Sequence, residues 1–102
     1  MGRASRKRPA RLAKKLAAIR AALRLSQDQI VVEMGLAGEL IREEVSKFEL
    51  GTREPPLPVL LAYARLAGVY VDVLIDDKLD LPKKLPAWPK SEGISRDKPT
   101  RG

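Results

Sequence analysis

Residues Leu25 to Glu54 read LSQDQIVVEMGLAGELIREEVSKFELGTRE, and the rest of the chain is organised around them. Gln29 follows Ser26 at the spacing of a capping box, so a helix starts here. Asp28 in the first turn suits the positive end of the helix dipole. This helix runs from about Gln27 to Met34, with Ile30, Val31 and Met34 inward, and Gly35 ends it as a left-handed residue. Leu36 to Leu40 is a turn, with Gly38 as a further breaker. Another helix follows from roughly Ile41 to Leu50. Ile41, Val45 and Phe48 form its inward stripe at helical spacing. Its opposite face shows Glu43 and Lys47, flanked by Arg42 and Ser46, with Glu44 to one side. Gly51 closes it, Thr52 and Arg53 lie in the next loop, and Pro55-Pro56 forbids continuation.

Upstream, residues 10–24 predict a first helix. Leu12, Leu16, Ile19 and Leu23 fall on one stripe at helical period, and the intervening alanines raise helix propensity. Arg11, Lys14 and Lys15 point away from that stripe. Arg20 sits at its edge, where an arginine beside a core needs a carboxylate partner. Glu49 has the matching place beside the stripe of its own helix, so Arg20 and Glu49 are expected to pair. Residues 1–9, MGRASRKRP, read as a disordered basic arm.

Downstream, a fourth helix begins near Leu57-Pro58 with proline in its first turn. Leu57, Leu60, Leu61 and Ala64 are its expected buried face, and Gly68 stops it. Val69 to Ile75 alternates like a strand. A lone strand has no partner here, so a short fifth helix from about Val71 to Asp76 is expected instead. Asp76, Asp77 and Asp80 lack calcium-loop spacing and suit a helix cap or a solvated turn. Residues 78–102 form an extended Pro- and Lys-rich tail, with Leu79, Leu81, Leu85 and Trp88 to bury and disorder expected from Ser91.

The chain has 102 residues, enough for one small domain. Cysteine and histidine are both absent. That excludes a disulfide framework and a zinc finger and removes the commonest catalytic base. No nucleophile, metal or Gly-rich phosphate constellation stands out, so the inventory points away from an enzyme, a cofactor or a small-molecule substrate. No apolar run approaches membrane-spanning length, and a cytoplasmic location is expected. The net charge of +7 is unevenly spread. Residues 1–24 carry nine positive charges and no acid, residues 25–55 a net −4, residues 56–80 a net −2 and residues 81–102 a net +4. Basic ends either seek a polyanion or keep the termini soluble.

Leu25-Ser26-Gln27, Gly35, the Val45-Ser46-Lys47-Phe48-Glu49-Leu50-Gly51 run, Pro55, and Leu60-Leu61 through Ala64 to Leu66-Ala67-Gly68-Val69 resemble the Cro/repressor-type helix-turn-helix family, also called XRE-like or lambda-repressor-like. The resemblance covers about residues 10–77. It implies an all-α bundle of about five helices, with the second helix crossing the DNA backbone and the third entering the major groove. Carried across, the family's buried arginine–glutamate pair falls on Arg20 and Glu49. Its phosphate-contacting glutamine falls on Gln27, its groove-reading positions on Arg42, Glu43, Glu44 and Lys47, and its later phosphate contacts on Thr52 and Arg53. The sequence departs from the family twice. The turn after Gly35 is longer, with Gly38 to Ile41 forming either an extra helical turn or a bulged loop. Two adjacent glutamates also stand where the family has small or amide residues. The longer turn, the Gly51–Pro58 run and the Leu79–Pro82 tail resemble one bacterial subgroup of DNA-binding regulators.

The expectation is therefore a sequence-specific regulator of transcription, of the bacterial repressor type and working at the nucleoid. Arg42, Glu43, Ser46 and Lys47 would read bases. Arg3, Arg6, Lys7, Arg8, Arg11, Lys14, Gln27, Thr52 and Arg53 would hold phosphates of double-stranded DNA. A single domain reads few base pairs, so a homodimer on a two-fold site is expected. Val69 to Ile75, Leu79, Leu81 and Trp88 are candidates for its surface. The alternative is a protein-interaction module of the same fold, antitoxin-like or an adaptor, whose acidic third helix meets a basic partner.

Overall fold

The first helix, α1 (Leu12–Leu23), lies at the centre of the fold. The structure is a computed structural model and describes residues 8–85. Those residues form five helices and no strand. The other four are α2 (Gln27–Glu33), α3 (Arg42–Leu50), α4 (Leu57–Ala67) and α5 (Val71–Ile75). α1 packs on α3, α4 and α5, while α2 packs on α3 and α4 on α5. Leu16, Ile19, Ile30, Val45, Phe48, Tyr63 and Leu74 are almost fully buried and bring every helix into one core. Each such side chain contributes roughly 1.5–3 kcal/mol relative to exposure.

α1 starts at Leu12, two residues later than the sequence suggests, and no side chain next to it caps it. The cap comes from the far end of the domain. The Asp77 carboxylate accepts the N–H groups of Ala10 at 2.8 Å and Arg11 at 3.0 Å. A carboxylate there satisfies orphan donors and suits the helix dipole. The helix stops at Leu23 because Arg24 turns left-handed (φ 60°).

The capping box of α2 is complete. Ser26 Oγ accepts the Gln29 N–H at 3.0 Å, and Gln29 Oε1 accepts the Ser26 N–H at 2.7 Å. The connection from Met34 to Ile41 is a loop and not an added turn of α3. Gly35 and Gly38 both take positive φ, which glycine adopts without steric cost. The Leu40 N–H bonds back to the Leu36 carbonyl at 3.0 Å, and the Leu40 side chain is buried. Leu40 thereby takes the core position expected of Ile41. Ile41 precedes the first helical turn in extended conformation and is exposed, because helical periodicity does not yet apply to it.

α4 is rotated relative to the expected face. Val59, Leu60, Tyr63, Ala64 and Ala67 are buried, whereas Leu57 is 78% and Leu61 39% exposed. The helix is apolar on nearly all sides, so its sequence alone does not choose a face. Gly68 closes it in the left-handed region (φ 74°). The segment 78–85 has no helix or strand, and Leu81 and Leu85 pack against the core. Trp88 and the rest of the tail lie outside the described residues, as do residues 1–7 of the arm. Among the described residues, no helix is long and apolar enough to cross a membrane.

Candidate nucleic-acid interface

α3 turns Val45 and Phe48 into the core and leaves Arg42, Glu43, Lys47 and Leu50 exposed, with Ser46 half-buried. Glu43, Lys47 and Leu50 recur at one helical face. The start of this face adjoins α2. Arg42 Nη1 lies 3.5 Å from Asp28 Oδ2, and Arg42 Nε lies 3.6 Å from Glu43 Oε2. Asp28, Arg42 and Glu43 line a shallow depression of about 350 Å³ with Gly38 and Ile41 of the connection.

The two adjacent glutamates have different roles. Glu44 turns back to accept the Ile41 N–H at 3.1 Å, which is one half of a capping box. Isoleucine has no acceptor to supply the other half. Glu44 Oε2 also lies 3.8 Å from Arg53 Nη1. Glu43 is exposed on the outer face, beside Arg42.

The orientation of α3 is set by a pair on its far side. Arg20 Nε donates to Glu49 Oε2 at 2.8 Å and Oε1 at 3.1 Å, and Arg20 Nη2 donates to Oε1 at 2.9 Å. Arg20 Nη1 also donates to the Leu25 carbonyl at 3.0 Å, which ties the α1–α2 link to the same group. The hydroxyl of buried Tyr63 donates to Glu49 Oε2 at 3.3 Å. Burial first, then the neighbouring Glu49 charge, raises the Tyr63 pKa well above the usual phenol value. The hydrogen bond and charge of Glu49 likewise raise that of Arg20. One carboxylate thus joins α1, α3 and α4.

Gln27 stands at the start of α2, half-buried, and its amide nitrogen reaches Glu49 Oε1 at 3.4 Å. Its amide therefore adjoins the Arg20–Glu49 pair. Thr52 donates its hydroxyl and its N–H to the Lys47 carbonyl, at 3.3 and 3.0 Å, closing the end of α3. Arg53 is exposed. Gly51 sits close to α1, since a Cβ there would meet Ala13 Cβ at 3.5 Å. The end of α3 and the start of α1 therefore share one side of the molecule, where Arg8 and Arg53 line a common groove.

Two cations of α1 behave differently from their sequence reading. Lys15 is 4% exposed, not outward-facing. Its ammonium donates to the carbonyls of Val73 at 2.7 Å, Asp76 at 3.1 Å and Leu79 at 2.7 Å. These carbonyls mark the end of α5, where a cation is favoured. Burial, with Arg11 nearby, lowers its pKa, and Asp77, Asp80 and Asp76 partly offset this. Arg11, expected on phosphate, instead donates to the Asp77 carbonyl at 2.8 Å and pairs with the Asp80 carboxylate. Its guanidinium is engaged in holding residues 77–80 to α1. Lys14 and Lys47 are exposed, whereas Arg3, Arg6 and Lys7 fall outside the described residues. The pairing of Asp77 with α1 escaped the sequence reading. Its signal was the missing Ser, Thr, Asp or Asn before Leu12.

Comparison with family models, curated proteins and solved structures gives no match for this chain. Among the described residues, no group of three or more His, Cys, Asp or Glu is placed to hold a metal ion.

Proposed function

We propose that this chain is a sequence-specific DNA-binding regulator of transcription, of the repressor-type helix-turn-helix kind. One observation carries the reading: α3, whose outer face is exposed, is tied by the Arg20–Glu49 pair beside the capped start of α2. In this reading α3 enters the major groove, and the α2 start faces the backbone. Arg42 and Lys47 supply donors for base edges, and Glu43 accepts from a cytosine amino group. The Arg42 guanidinium takes guanine O6 and N7 together, for roughly 1–3 kcal/mol of discrimination. Arg8, Lys14 and Arg53 meet phosphates, as do the arm residues Arg3, Arg6 and Lys7. Arg11 is no longer assigned there, because Asp77 and Asp80 occupy it. The location that goes with this role is the bacterial nucleoid.

The test is selection of bound sequences from random duplex DNA by the purified chain, repeated at two salt concentrations. A motif should be enriched, and its affinity should fall steeply with salt as phosphate counterions are released. Arg42→Ala should relax one base position, whereas Lys47→Ala weakens binding. Deleting residues 2–8 should weaken binding and flatten its salt slope while folding is kept. No enriched motif, together with parental DNA binding by Arg42→Ala and Lys47→Ala, would sink the proposal. A second reading has one observation behind it: Arg42 lies between two carboxylates, Asp28 and Glu43. A basic protein surface would suit that acidic patch, and the selection experiment separates the two.

A further inference from the structure

Arg8 and Pro9, the first described residues, sit where two grooves meet. Both line the smaller groove, of about 180 Å³, and Pro9 also lines the larger one, of about 850 Å³. Phe48, Arg53, Glu54 and Pro55 line both, so the two are continuous beside the end of α3. From there the larger groove follows α3 back to Leu36, Glu39 and Leu40 of the connection that precedes it.

Charge, reach and the point of entry select an occupant. The larger groove carries three carboxylates, Glu39, Glu44 and Glu54, against one guanidinium, Arg53, which leaves a net charge of −2. Arg53 is oriented toward Glu44, at 3.8 Å. Glu39 is exposed and has no ion-pair partner among the described residues. Residues 1–7 carry Arg3, Arg6 and Lys7 and no acid. Such side chains cover an apolar wall with their stems while the charged head reaches a carboxylate. The nine residues of α3 rise about 14 Å. Seven extended residues span about 23–25 Å, enough to reach Glu39 from Pro9. The other end of the chain enters elsewhere. Leu85, the last described residue, lines neither groove, and residues 86–102 include Glu92 and Asp97.

We infer that residues 1–7 dock in the groove beside α3 of their own chain, with their cations on a carboxylate rim that ends at Glu39. Docked there, Arg3, Arg6 and Lys7 are withheld from other polyanions, and a nucleic acid must displace them before it gains their charge. Only that consequence rests on the DNA-binding reading. The docking is measured without DNA, so the two ideas fail separately.

The experiment uses the full chain. Trypsin cleavage after Arg3, Arg6 and Lys7 is followed by mass spectrometry, with cleavage after Lys90 as the control. Glu39→Gln, at an exposed site, should speed arm cleavage about two- to fivefold, as loss of one exposed ion pair does. It should leave the Lys90 rate unchanged. Added salt should speed arm cleavage in the parent and do so less in the variant. The second measurement is by amide NMR. Replacing Arg3, Arg6 and Lys7 together by glutamine should move the signals of Leu36, Glu39 and Leu40 and leave those of Ala21 and Ala22 in place. Unchanged cleavage rates together with unmoved groove signals overturn the proposal. Groove signals that shift with protein concentration would assign the groove to a second copy and overturn it too. Trp88, the only tryptophan in the chain, reports the remaining occupant. If Glu39→Gln shifts the Trp88 indole signal and leaves arm cleavage unchanged, the C-terminal segment fills the groove and the proposal is wrong.

Discussion

Replacing Glu49 by alanine tests the keystone of the fold. Its side chain is 6% exposed, and that of Arg20 is 25% exposed. The carboxylate is the shared acceptor for Arg20, Tyr63 and Gln27. Removing one partner of a buried pair costs about 3–5 kcal/mol, because the other charge is left without compensation. Water reaches part of the Arg20 guanidinium, which places this site at the low end, about 3 kcal/mol. The Tyr63 hydroxyl loses its acceptor as well, adding about 1 kcal/mol. In a domain of this size each kcal/mol moves the melting temperature by about 4–8 °C, so a drop of roughly 15 °C or more is expected.

Thermal melts followed by far-UV circular dichroism, with urea titrations at fixed temperature, measure this directly. The decisive companion is Arg20→Met combined with Glu49→Leu. That double variant removes both charges and fills their space, so it should be more stable than Glu49→Ala alone. A Glu49→Ala melting temperature within about 2 °C of the parent would refute the reasoning, because the cost estimated above is several times larger. A double variant less stable than the single one would show that packing around the carboxylate matters more than the charge pair.

Two further perturbations probe the other end of the domain. Asp77 titrates below the ordinary value of 3.8, because the Ala10 and Arg11 N–H groups bind its charged form. The unfolded chain then takes up protons first as pH falls, so this contribution is present above about pH 4 and lost as pH drops through the folded value. Between about pH 5 and pH 2 the parent should lose more melting temperature than Asp77→Asn, and parallel curves would rule the link out. Lys15→Ala should destabilise by about 2–3 kcal/mol, since three carbonyls lose a charged donor. Urea unfolding measures it, and a change under about 0.5 kcal/mol, typical of an exposed site, would place the ammonium outside the fold.

The helices with strong local signals were legible in the sequence. Ser26 and Gln29 announced α2, Gly51 and Gly68 marked two helix ends, and the wheel positions of Arg20 and Glu49 indicated their pairing. What was not legible depends on tertiary context. Lys15 was placed outward because a helical wheel treats charge as solvent-facing. Its actual environment is the end of α5, a cluster of carbonyls 58 to 64 residues away in sequence. The partners of Arg11 are hidden for the same reason, since Asp77 and Asp80 read as a helix cap or a solvated turn without pointing to α1. The phase of α4 was ambiguous because leucines lie on both its faces. The long connection after Gly35 admits two structures from sequence, and the extended backbone of Ile41 and the burial of Leu40 distinguish them.

The acidity of α3 bears on how it would hold DNA. Three glutamates lie on this helix, and two are committed inside the domain: Glu49 to Arg20, and Glu44 to the Ile41 N–H and the vicinity of Arg53. Glu43 alone adds outward negative charge, and Asp28 joins it beside Arg42. Those two contacts, at 3.5 and 3.6 Å, are between exposed groups. Exposed pairs are worth about 0–1 kcal/mol, against roughly 1–3 kcal/mol for a bidentate arginine–guanine contact. Exchanging the carboxylates for guanine is therefore favourable on balance, with part of the gain offset. Nonspecific phosphate binding would gain nothing comparable from this helix, because Asp28 and Glu43 would repel a DNA backbone in any register. In the proposed complex the arrangement would lower affinity for every sequence, and at guanine it would also offset part of the Arg42 gain. On this account Asp28→Asn should tighten binding to both random DNA and the selected site, and more to the selected site, where Arg42 no longer has to leave Asp28. Equal tightening on both, measured at one salt concentration, would show that Asp28 only weakens the grip and leaves its selectivity unchanged.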